Sequence, residues 1–565
     1  MWRVAKCLPW LTLLAAVPIS SGGCTAAHPP RFAFGWHTPL ERSIELPNEA
    51  GTALARAKAL EASGNESCVD AYFESCSLAW NSAIHQKVSE EYSVALTGLL
   101  ISAQRFGRLD ASQGLYVHRG GELFVIPCSH HGFSWQPGDF QQLHLPPSEH
   151  EPLLKRRYRC AGLGAPMVVE RCRNSVDPTE VRFLPSKSYF AATAVLRFEG
   201  ENPGLEFYNP FVFRATESDA GTLPLAVDLS AALAQSLQEA PRTYLSGFVQ
   251  PGAAETNARL HLLEPYQPGK IPVVLIHGLF SDPLSWADLV NDLRAAPGFD
   301  ERYQVWYFRY PTGQGFLQSA AVLRRELRDC HLQFDPARRD PALRQTVLVG
   351  HSMGGLIAKL QVTHSDNHIW SRLANRPLEG IVASDEARAL LAETCYFEPS
   401  PDIGRVVFIA TPHAGSLVSS DILGRGASLV VEPAPEPAAI HQQLMRDNPG
   451  AFNPEFEQRL PTSIDMLSRH SPLLDAMQHM RLRAGVKLHN ILGVSHPVSL
   501  DGPSDGVVSV HSALHPGCQS VRAFGEKHGK IHRSLENSAE ILRILKIGGP
   551  CLPINQPAPV SAPGR

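Results

Sequence analysis

Apolar positions in the C-terminal half of the chain follow two alternating periods. Short continuous apolar runs, typical of strands buried on both faces, are followed by stretches with an apolar residue every three or four positions, typical of helices. This alternation predicts an α/β fold, a mostly parallel sheet with helices on both faces. The predicted strands are Pro272–Ile276, Tyr303–Phe308, Gln345–Val349, Arg405–Ile409 and Val486–Leu492, and the last predicted helix is Glu536–Leu545.

The N-terminal half has a different pattern. From residue 53 to about 104, Ala- and Leu-rich stretches place apolar residues at helical spacing, which predicts two to four amphipathic helices. From residue 114 to about 263, short runs rich in Val, Phe, Tyr and Leu are broken by Pro and Gly. These runs predict a β-rich domain, with a sandwich as one arrangement. The turn-forming segment Glu264–Lys270 separates the two halves.

The length of the chain also predicts several domains. A single hydrophobic core stops growing at roughly 250 to 300 residues, and the chain has 565. We predict, in order, a signal peptide, a tether, a small helical segment, a β-rich accessory domain, an α/β domain and a Pro-rich tail. Their predicted bounds are residues 1–23, 24–52, 53–110, 111–263, 264–548 and 549–565.

The first residues are typical of an export signal. Two basic residues precede the apolar run Cys7–Ile19, which is shorter than the about 20 residues that a membrane-spanning helix needs. The segment Ser21–Cys24 resembles the cleavage box of bacterial lipoproteins, in which Cys24 would carry the lipid. Ser21 stands where such boxes usually have Leu, so ordinary signal-peptidase cleavage is the alternative. Both predict export, and the first predicts an anchor in the cell-envelope membrane.

Charge and cysteine content narrow the function classes. Apolar residues are 44% of the chain, charged residues 19%, and the net charge is −4, with acids and bases mixed. No broad basic field is available for a phosphate backbone, which excludes a nucleic-acid partner. In an exported protein one or two disulfides are expected, and the pairs Cys68/Cys76 and Cys160/Cys172 have the closest spacing. No CxxC pair is present, so no metal site is expected.

The segment Thr346–Leu360 carries the central chemical motif. An apolar strand runs directly into Gly350-His351-Ser352-Met353-Gly354 and then into a helix. A serine on such a sharp turn has strained backbone angles, and its neighbours must be nearly free of side chain, as the two glycines are. Its hydroxyl projects at the N-terminus of the helix, where free N–H groups favour an anion. Ser352 is therefore the predicted nucleophile.

A second motif precedes the turn of Ser352 in the chain. The strand PVVLI ends in His277-Gly278-Leu279-Phe280. Acyl transfer needs two N–H donors that point at the developing oxyanion. The predicted donors are the backbone N–H of Met353, directly after the nucleophile, and that of Leu279, in the tight turn that Gly278 permits.

Together these motifs resemble the lipase and esterase branch of the α/β-hydrolase superfamily, from about residue 271 to residue 545. The segment Phe408–Ser416 contains TPHAGS, which is similar to the TPHxGS segment of bacterial lipases and of hydrolases like the glycosylphosphatidylinositol inositol-deacylases. The resemblance implies an α/β-hydrolase catalytic domain that acts on lipid or carboxylic esters without a cofactor. For His413 in this segment, a role in ordering a loop is favoured over a role in the reaction.

The resemblance also implies that the acid and the base follow Ser352 in the chain. The segment Ser504–Val508 (SDGVV) resembles the loop of lipases that carries the acid, which makes Asp505 the predicted acid and Asp501 the alternative. Before the last helix lie His528 and His532, and the usual distance from the base to that helix in the family favours His528. Asp505 would then orient His528, which takes the proton from Ser352 to give an acyl-enzyme that water clears.

Three functions fit this sequence. The first is an exported, lipid-anchored hydrolase of lipid-like carboxylic esters, with a cap over the nucleophile formed by residues 365–400 and 416–461. The second is an acyltransferase that uses the same triad with an alcohol as acceptor. The third is an inert envelope scaffold or binding protein whose N-terminal domains bind a protein partner, because a fold alone does not guarantee activity.

Overall fold

The computed structural model describes residues 48–86, 90–148, 154–199, 202–239, 258–416, 435–458, 461–496 and 502–548. The predicted signal peptide with Cys24, the tether up to residue 47, Asp501 and the Pro-rich tail lie outside these residues. Within the described ranges, no helix combines the length and the apolar character that crossing a membrane requires.

Three helices begin the described chain: α1 (Glu49–Ala62), α2 (Cys68–Gln86) and α3 (Glu90–Arg105). The side chain of Asn48 caps α1, because it accepts a hydrogen bond from the N–H of Gly51, which has no partner inside the helix. The apolar stripe of α3, which includes Leu96 and Leu99, is fully buried. The helical segment predicted from the apolar spacing is thus confirmed.

In the described residues, the accessory region that follows is built of short strands and two α-helices. Its main strands are β1 (Leu109–Asp110), β2 (Gly114–Arg119), β3 (Glu122–His131), β4 (Gln142–His144), β6 (Ala165–Cys172), β7 (Lys187–Arg197) and β8 (Gly204–Tyr208). They form one seven-stranded sheet in the order β1-β2-β3-β8-β7-β6-β4. Two small ladders accompany it: β5 (Arg159–Cys160) with β11 (Val227–Asp228), and β9 (Ala215–Ser218) with β10 (Gly221–Pro224). The helices are α4 (Pro178–Phe183) and α5 (Ala231–Glu239).

The accessory sheet is covered by helices, and the sandwich arrangement is wrong. Alternate residues of a strand point to opposite faces. Met167 and Val169 of β6 share a core with the helices α1 to α3, whereas Val168, between them, packs with the alanines of α5. The hydroxyl of Tyr92 on α3 donates a hydrogen bond to the carbonyl of Leu196 on β7 at 2.6 Å. The helical segment and the β-rich region therefore form one layered structure.

The C-terminal sheet consists of β12 (Arg259–Leu262), β13 (Ile271–Ile276), β14 (Tyr303–Arg309), β15 (Thr346–His351), β16 (Ile403–Ile409), β17 (Lys487–Gly493) and β18 (Ser520–Phe524). Their order is β12-β14-β13-β15-β16-β17-β18. All neighbouring pairs are parallel except β12 with β14. The predicted mostly parallel sheet is confirmed. Its two edge strands were not predicted, and β12 precedes the boundary predicted at residue 264, while the other predicted domain boundaries stay predictions.

Helices cover both faces of the C-terminal sheet. The helices described in this part of the chain are α6 (Ala287–Ala295), α7 (Phe299–Arg302), α8 (Phe316–Phe334), α9 (Met353–Lys359), α10 (Trp370–Leu373), α11 (Asp385–Cys395), α12 (Pro435–Asp447), α13 (Pro454–Gln458), α14 (Ser463–Met466), α15 (Pro472–His479), α16 (Val510–Ala513), α17 (His528–Ile531) and α18 (Leu535–Leu545). Val347 of β15 packs with α6 and α18, and its neighbour Leu348 packs with α8 and α9. Continuous apolar strands are required because both faces are buried.

The cysteines do not pair as the sequence suggested. All eight cysteines in the described part of the chain are free. Cys68 and Cys76 both lie on α2, two turns apart, which separates them by about 12 Å along the helix axis. A disulfide requires Cα atoms within about 7 Å. Cys160 and Cys172 are exposed and unpaired as well.

Candidate active site

Ser352 lies in the turn between β15 and α9. Its backbone angles are φ 55° and ψ −125°, a strained conformation for a residue with a side chain. The N–H of Ser352 donates to the carbonyl of Ile409 at 2.8 Å, and its carbonyl accepts from the N–H of Gly355 at 2.9 Å. These bonds hold the turn in place. The residue is 7% exposed, so only a small part of it reaches solvent.

Two glycines in the first turn of α9 permit this turn to pack closely. A Cβ on Gly354 would collide with the carbonyl groups of Ile276 and His277 at the end of β13. A Cβ on Gly355 would collide with the side chain of Thr411, which follows β16. The helix that begins after Ser352 is thus pressed against the ends of the two strands that flank β15, and side chains there would force it away.

The structure brings together Ser352, His528 and Asp505. Nε2 of His528 lies 2.9 Å from Oγ of Ser352, and Nδ1 of His528 lies 2.7 Å from Oδ2 of Asp505. Asp505 is 3% exposed, and its Oδ1 accepts hydrogen bonds from the N–H groups of Val507 at 2.9 Å and Val508 at 2.8 Å. One carboxylate oxygen is therefore fixed by the backbone, and the other is free to hold the Nδ1–H of the imidazole.

The loops that carry Asp505 and His528 meet at the end of β17. The N–H of His528, which begins α17, donates to the carbonyl of Asp505 at 3.1 Å. Gly493, the last residue of β17, lies between the loops, because a Cβ there would be 2.7 Å from Cβ of Asp505 and 2.8 Å from the carbonyl oxygen of Glu526. Sequence reasoning missed Gly493. Its only signal was a glycine at the carboxyl end of a predicted strand.

His532, the alternative base, does not take part in this arrangement. His532 is 4% exposed, and its ring packs 4.2 Å from the ring of His351 and 5.4 Å from that of Trp286. Among the described residues, neither ring nitrogen of His532 has a hydrogen-bond partner. Burial lowers the pKa of His532 to about 3, so the ring is neutral. The other alternative, Asp501, lies outside the described residues.

His351, the residue before the nucleophile, supports the loop of His528. Its Nε2 lies 3.0 Å from the carbonyl oxygen of His528, so the Nε2–H donates to that carbonyl. Burial lowers the pKa of His351 well below its ordinary value, which keeps the ring neutral. Sequence reasoning treated this position only as the variable residue of G-x-S-x-G, and nothing in the sequence indicates the contact.

The two predicted oxyanion donors lie in turns beside Ser352. Met353 begins α9, and the first N–H groups of a helix have no acceptor within it. Leu279 follows Gly278, where a Cβ would be 3.0 Å from Cβ of Ser352. Among the hydrogen bonds of the described turns and loops, none uses the N–H of Leu279 or of Met353. Their role in binding an oxyanion stays a prediction.

His413 lies apart from the triad. It is 5% exposed and packs edge-on against Phe408 at 4.7 Å and His515 at 5.0 Å. Burial lowers the pKa of His413 well below its ordinary value. Its backbone N–H donates to the carbonyl of Ser512 at 2.9 Å, which ties the segment after β16 to α16. Its predicted role in ordering this loop stays a prediction.

The predicted cap segments contact each other. An isolated bridge joins Ala374 of the first segment to Phe452 of the second, and another bridge, between Thr363 and Leu482, lies just outside their bounds. Residues 417–434 and 459–460 of the second segment lie outside the described residues. Whether these segments cover the nucleophile stays a prediction. Within the described ranges, no group of three or more His, Cys, Asp or Glu side chains is arranged to hold a metal ion.

The chain was compared with known protein families and with curated proteins. Residues 273–510 match the model of the alpha/beta hydrolase family. A relative described as a probable lysophospholipase L2 from Haemophilus influenzae is 25% identical over 161 residues, which are 27% of this chain and 47% of that protein. The chain thus spans about half the length of this relative.

Two solved structures have low similarity to the chain. A lipase from Bacillus licheniformis in its mature form is 16% identical, with a TM-score of 0.31 over 53% of this chain and 100% of that one. A metagenomic carboxyl esterase is 19% identical, with a TM-score of 0.25 over 46% of this chain and 65% of that one. The family model and the parallel sheet with its strained serine turn are the stronger observations, and they agree: the C-terminal part of this chain is an α/β-hydrolase domain.

Proposed function

We propose that the chain is a serine hydrolase that cleaves carboxylic esters with Ser352, His528 and Asp505 as its triad. The proposal rests on one observation, the continuous line of hydrogen bonds from Asp505 through His528 to Oγ of Ser352, at 2.7 and 2.9 Å. Geometry of this kind supports proton transfer from the hydroxyl to Nε2 of the imidazole. Because all three residues are present and in contact, an inert scaffold is the weaker interpretation.

The reaction would proceed through an acyl-enzyme. Oγ of Ser352 attacks the ester carbonyl while His528 takes its proton, and Asp505 stabilises the imidazolium that forms. The N–H groups of Leu279 and Met353 would bind the oxyanion, where the loss of one donor typically costs about 100- to 1000-fold in rate. His528 then gives its proton to the leaving alcohol, and water attacks the acyl-enzyme in the same way.

We propose lipid-like esters as the substrate class. The TPHAGS segment at residues 411–416 supports this class through its resemblance to bacterial lipases, and so does the relative described as a probable lysophospholipase.

Product analysis with an added short-chain alcohol separates hydrolysis from acyl transfer. A free fatty acid as the main product supports the hydrolase, and a new ester would contradict it.

The proposed function is tested by labelling and by one substitution. A fluorophosphonate probe should label the purified full chain on the peptide that contains Ser352, as read by mass spectrometry. Ser352→Ala should abolish both the labelling and the turnover of p-nitrophenyl esters without a loss of thermal stability. The exposed Ser371→Ala serves as the control. Labelling at another residue, or turnover retained by Ser352→Ala, would remove the assignment.

We further propose export with a lipid anchor at Cys24, which rests on the N-terminal sequence alone. Cells that express the chain should incorporate a radioactive fatty acid into it, and Cys24→Ala should lose this label. A label that persists in Cys24→Ala would place the lipid elsewhere, and an unlabelled wild-type chain would favour ordinary signal-peptidase cleavage.

A further inference from the structure

A short segment of the accessory region, Leu154–Tyr158, lies on the hydrolase domain, and we call it the strap. Leu154 packs with Ala287 at the start of α6. The N–H of Lys155 donates to Oδ1 of Asp288 at 2.9 Å. Both Nε and a terminal nitrogen of Arg156 donate to the carboxylate of Asp292, the first at 2.6 Å. The strap therefore binds α6 through apolar, backbone and charged contacts.

One face of α6 is built to receive the strap. Asp288, Asn291 and Asp292 are spaced three and four residues apart, which places them on the same side of the helix. They are 1%, 4% and 0% exposed. The side-chain amide of Asn291 donates to the carbonyl of Arg156 at 2.9 Å, and the hydroxyl of Tyr158 donates to Asp292 at 2.9 Å. Buried carboxylates are costly unless they are paired, so this face requires the cation and the hydroxyl that the strap supplies.

The same two carboxylates bind the chain that follows His528. Oδ2 of Asp288 accepts from Nε of Arg533 at 2.8 Å, and Oδ2 of Asp292 accepts from the hydroxyl of Ser538 at 2.6 Å. The carbonyl of Arg533 in turn accepts from Nζ of Lys155 at 3.3 Å. The strap, α6 and residues 533–538 thus form one network of hydrogen bonds. Its first residue in this part of the chain, Arg533, lies two residues after the end of α17, the four-residue helix that starts with His528.

We propose that the strap is a positioning element for the catalytic base: the accessory region completes the active site by holding α17 and α18, and with them His528, against α6. This inference rests on the proposed function and assigns a role to the accessory region. A second contact supports it, since the 3-10 helix Pro283–Trp286 leads into α6, and the ring of Trp286 packs 5.4 Å from that of His532. A shift of α6 would therefore be transmitted to the loop of His528 both through Arg533 and through His532.

Two other arginines provide matched controls. Arg182 on α4 pairs with Asp329 on α8 at 2.8 Å, so it also joins the accessory region to the hydrolase domain, but α8 carries no residue of the triad. The side chain of Arg171 is 5% exposed and pairs with two carboxylates inside the accessory region, whereas that of Arg156 is 11% exposed. The first control matches the location of the strap contact, and the second matches its burial.

The experiment compares Arg156→Met, Arg171→Met and Arg182→Met in the full chain. We measure kcat and KM for a p-nitrophenyl ester, the pH profile of kcat/KM, the rate at which a fluorophosphonate labels Ser352, and the thermal midpoint. Arg156→Met should lower kcat about 10- to 100-fold with KM changed less than about twofold, because displacement of a catalytic group by about 1 Å costs rates of this size. The pH at the midpoint of the acid limb of its kcat/KM profile should also differ from that of the wild-type chain. Both controls should keep the wild-type kcat and pH profile, whatever stability they lose.

Tyr158→Phe protects the test against a variant that does not fold. It removes one hydrogen bond to Asp292 and leaves the charge pair, so a smaller loss of kcat in the same direction is expected. Wild-type kcat and pH profile in Tyr158→Phe and in any folded Arg156→Met would overturn the role of the strap and leave the proposed function standing. No labelling of Ser352 in the wild-type chain would contradict the proposed function itself, and the role of the strap with it.

Discussion

The two halves of the candidate active site are held in different ways. The residues that permit the turn of Ser352 lie next to it in the chain, since Gly354 and Gly355 allow α9 to pack against the ends of β13 and β16. One remote contact, the hydrogen bond from the N–H of Ser352 to the carbonyl of Ile409, adds to this. The loop of His528 is fixed by distant residues: Asp505, the carbonyl contact with His351, and the network that α6 and the strap form around Arg533. A motif that is fixed locally is visible in the sequence. A residue that is held by remote contacts is not.

The largest expected effect is the difference in kcat between variants of His528 and of His532. His528→Ala should lower kcat roughly 10⁴- to 10⁶-fold, because the proposed base, which would take the serine proton, is lost. His532→Ala should lower kcat less than about tenfold, since its buried ring contacts His351 and Trp286 and makes no hydrogen bond to Ser352. Steady-state kinetics on a p-nitrophenyl ester measure both. If His532→Ala showed the larger loss, the arrangement seen in the structure would not be the active one.

A Gly→Ala substitution in each half of the candidate active site should show that the two halves differ in how tightly they are packed. Gly354→Ala brings a Cβ against two backbone carbonyl groups, so we expect a loss of about 1 to 3 kcal/mol in the free energy of unfolding and a loss of kcat as the turn moves. Gly529→Ala, next to His528, meets no atom within 4 Å and should be neutral or stabilise by up to about 1 kcal/mol. Urea unfolding measures both. Equal stability of the two variants would refute the difference in packing.

The smallest expected effect is the contribution of His532 to the free energy of unfolding at low pH. The pKa of the buried His532 is lowered to about 3, whereas in the unfolded chain it is near 6.5. Between these values unfolding takes up a proton, so a fall in pH below about 6.5 favours the unfolded state, by at most about 1.4 kcal/mol per pH unit from this group. His532→Phe, which keeps an aromatic ring, should reduce that slope in urea unfolding between pH 7 and pH 5. The exposed His470→Phe should leave the slope unchanged, and equal slopes in all three proteins would contradict the expectation.

Edge strands and the accessory region show where sequence patterns reach their limit. The central strands of the C-terminal sheet are buried on both faces, so their apolar runs predicted them within a few residues. The edge strand β18 is exposed at Val521, Arg522 and Ala523 and has no such run. In the accessory region, alternating residues of β6 face two different helical layers. A period of two predicts strands there but does not say whether helices or a second sheet cover them.

By itself the sequence determined the parallel sheet and the turn of Ser352, because continuous burial and a strained backbone each restrict which residues a short segment can contain. Only the tertiary structure brought His528, rather than His532, within hydrogen-bond distance of Ser352. It also placed Gly493 between the loops of Asp505 and His528 and joined Arg156 to Asp292. These contacts link positions far apart in the chain, and the residue types involved are common in loops and on surfaces. Their meaning depends on which remote groups the fold brings within hydrogen-bond distance.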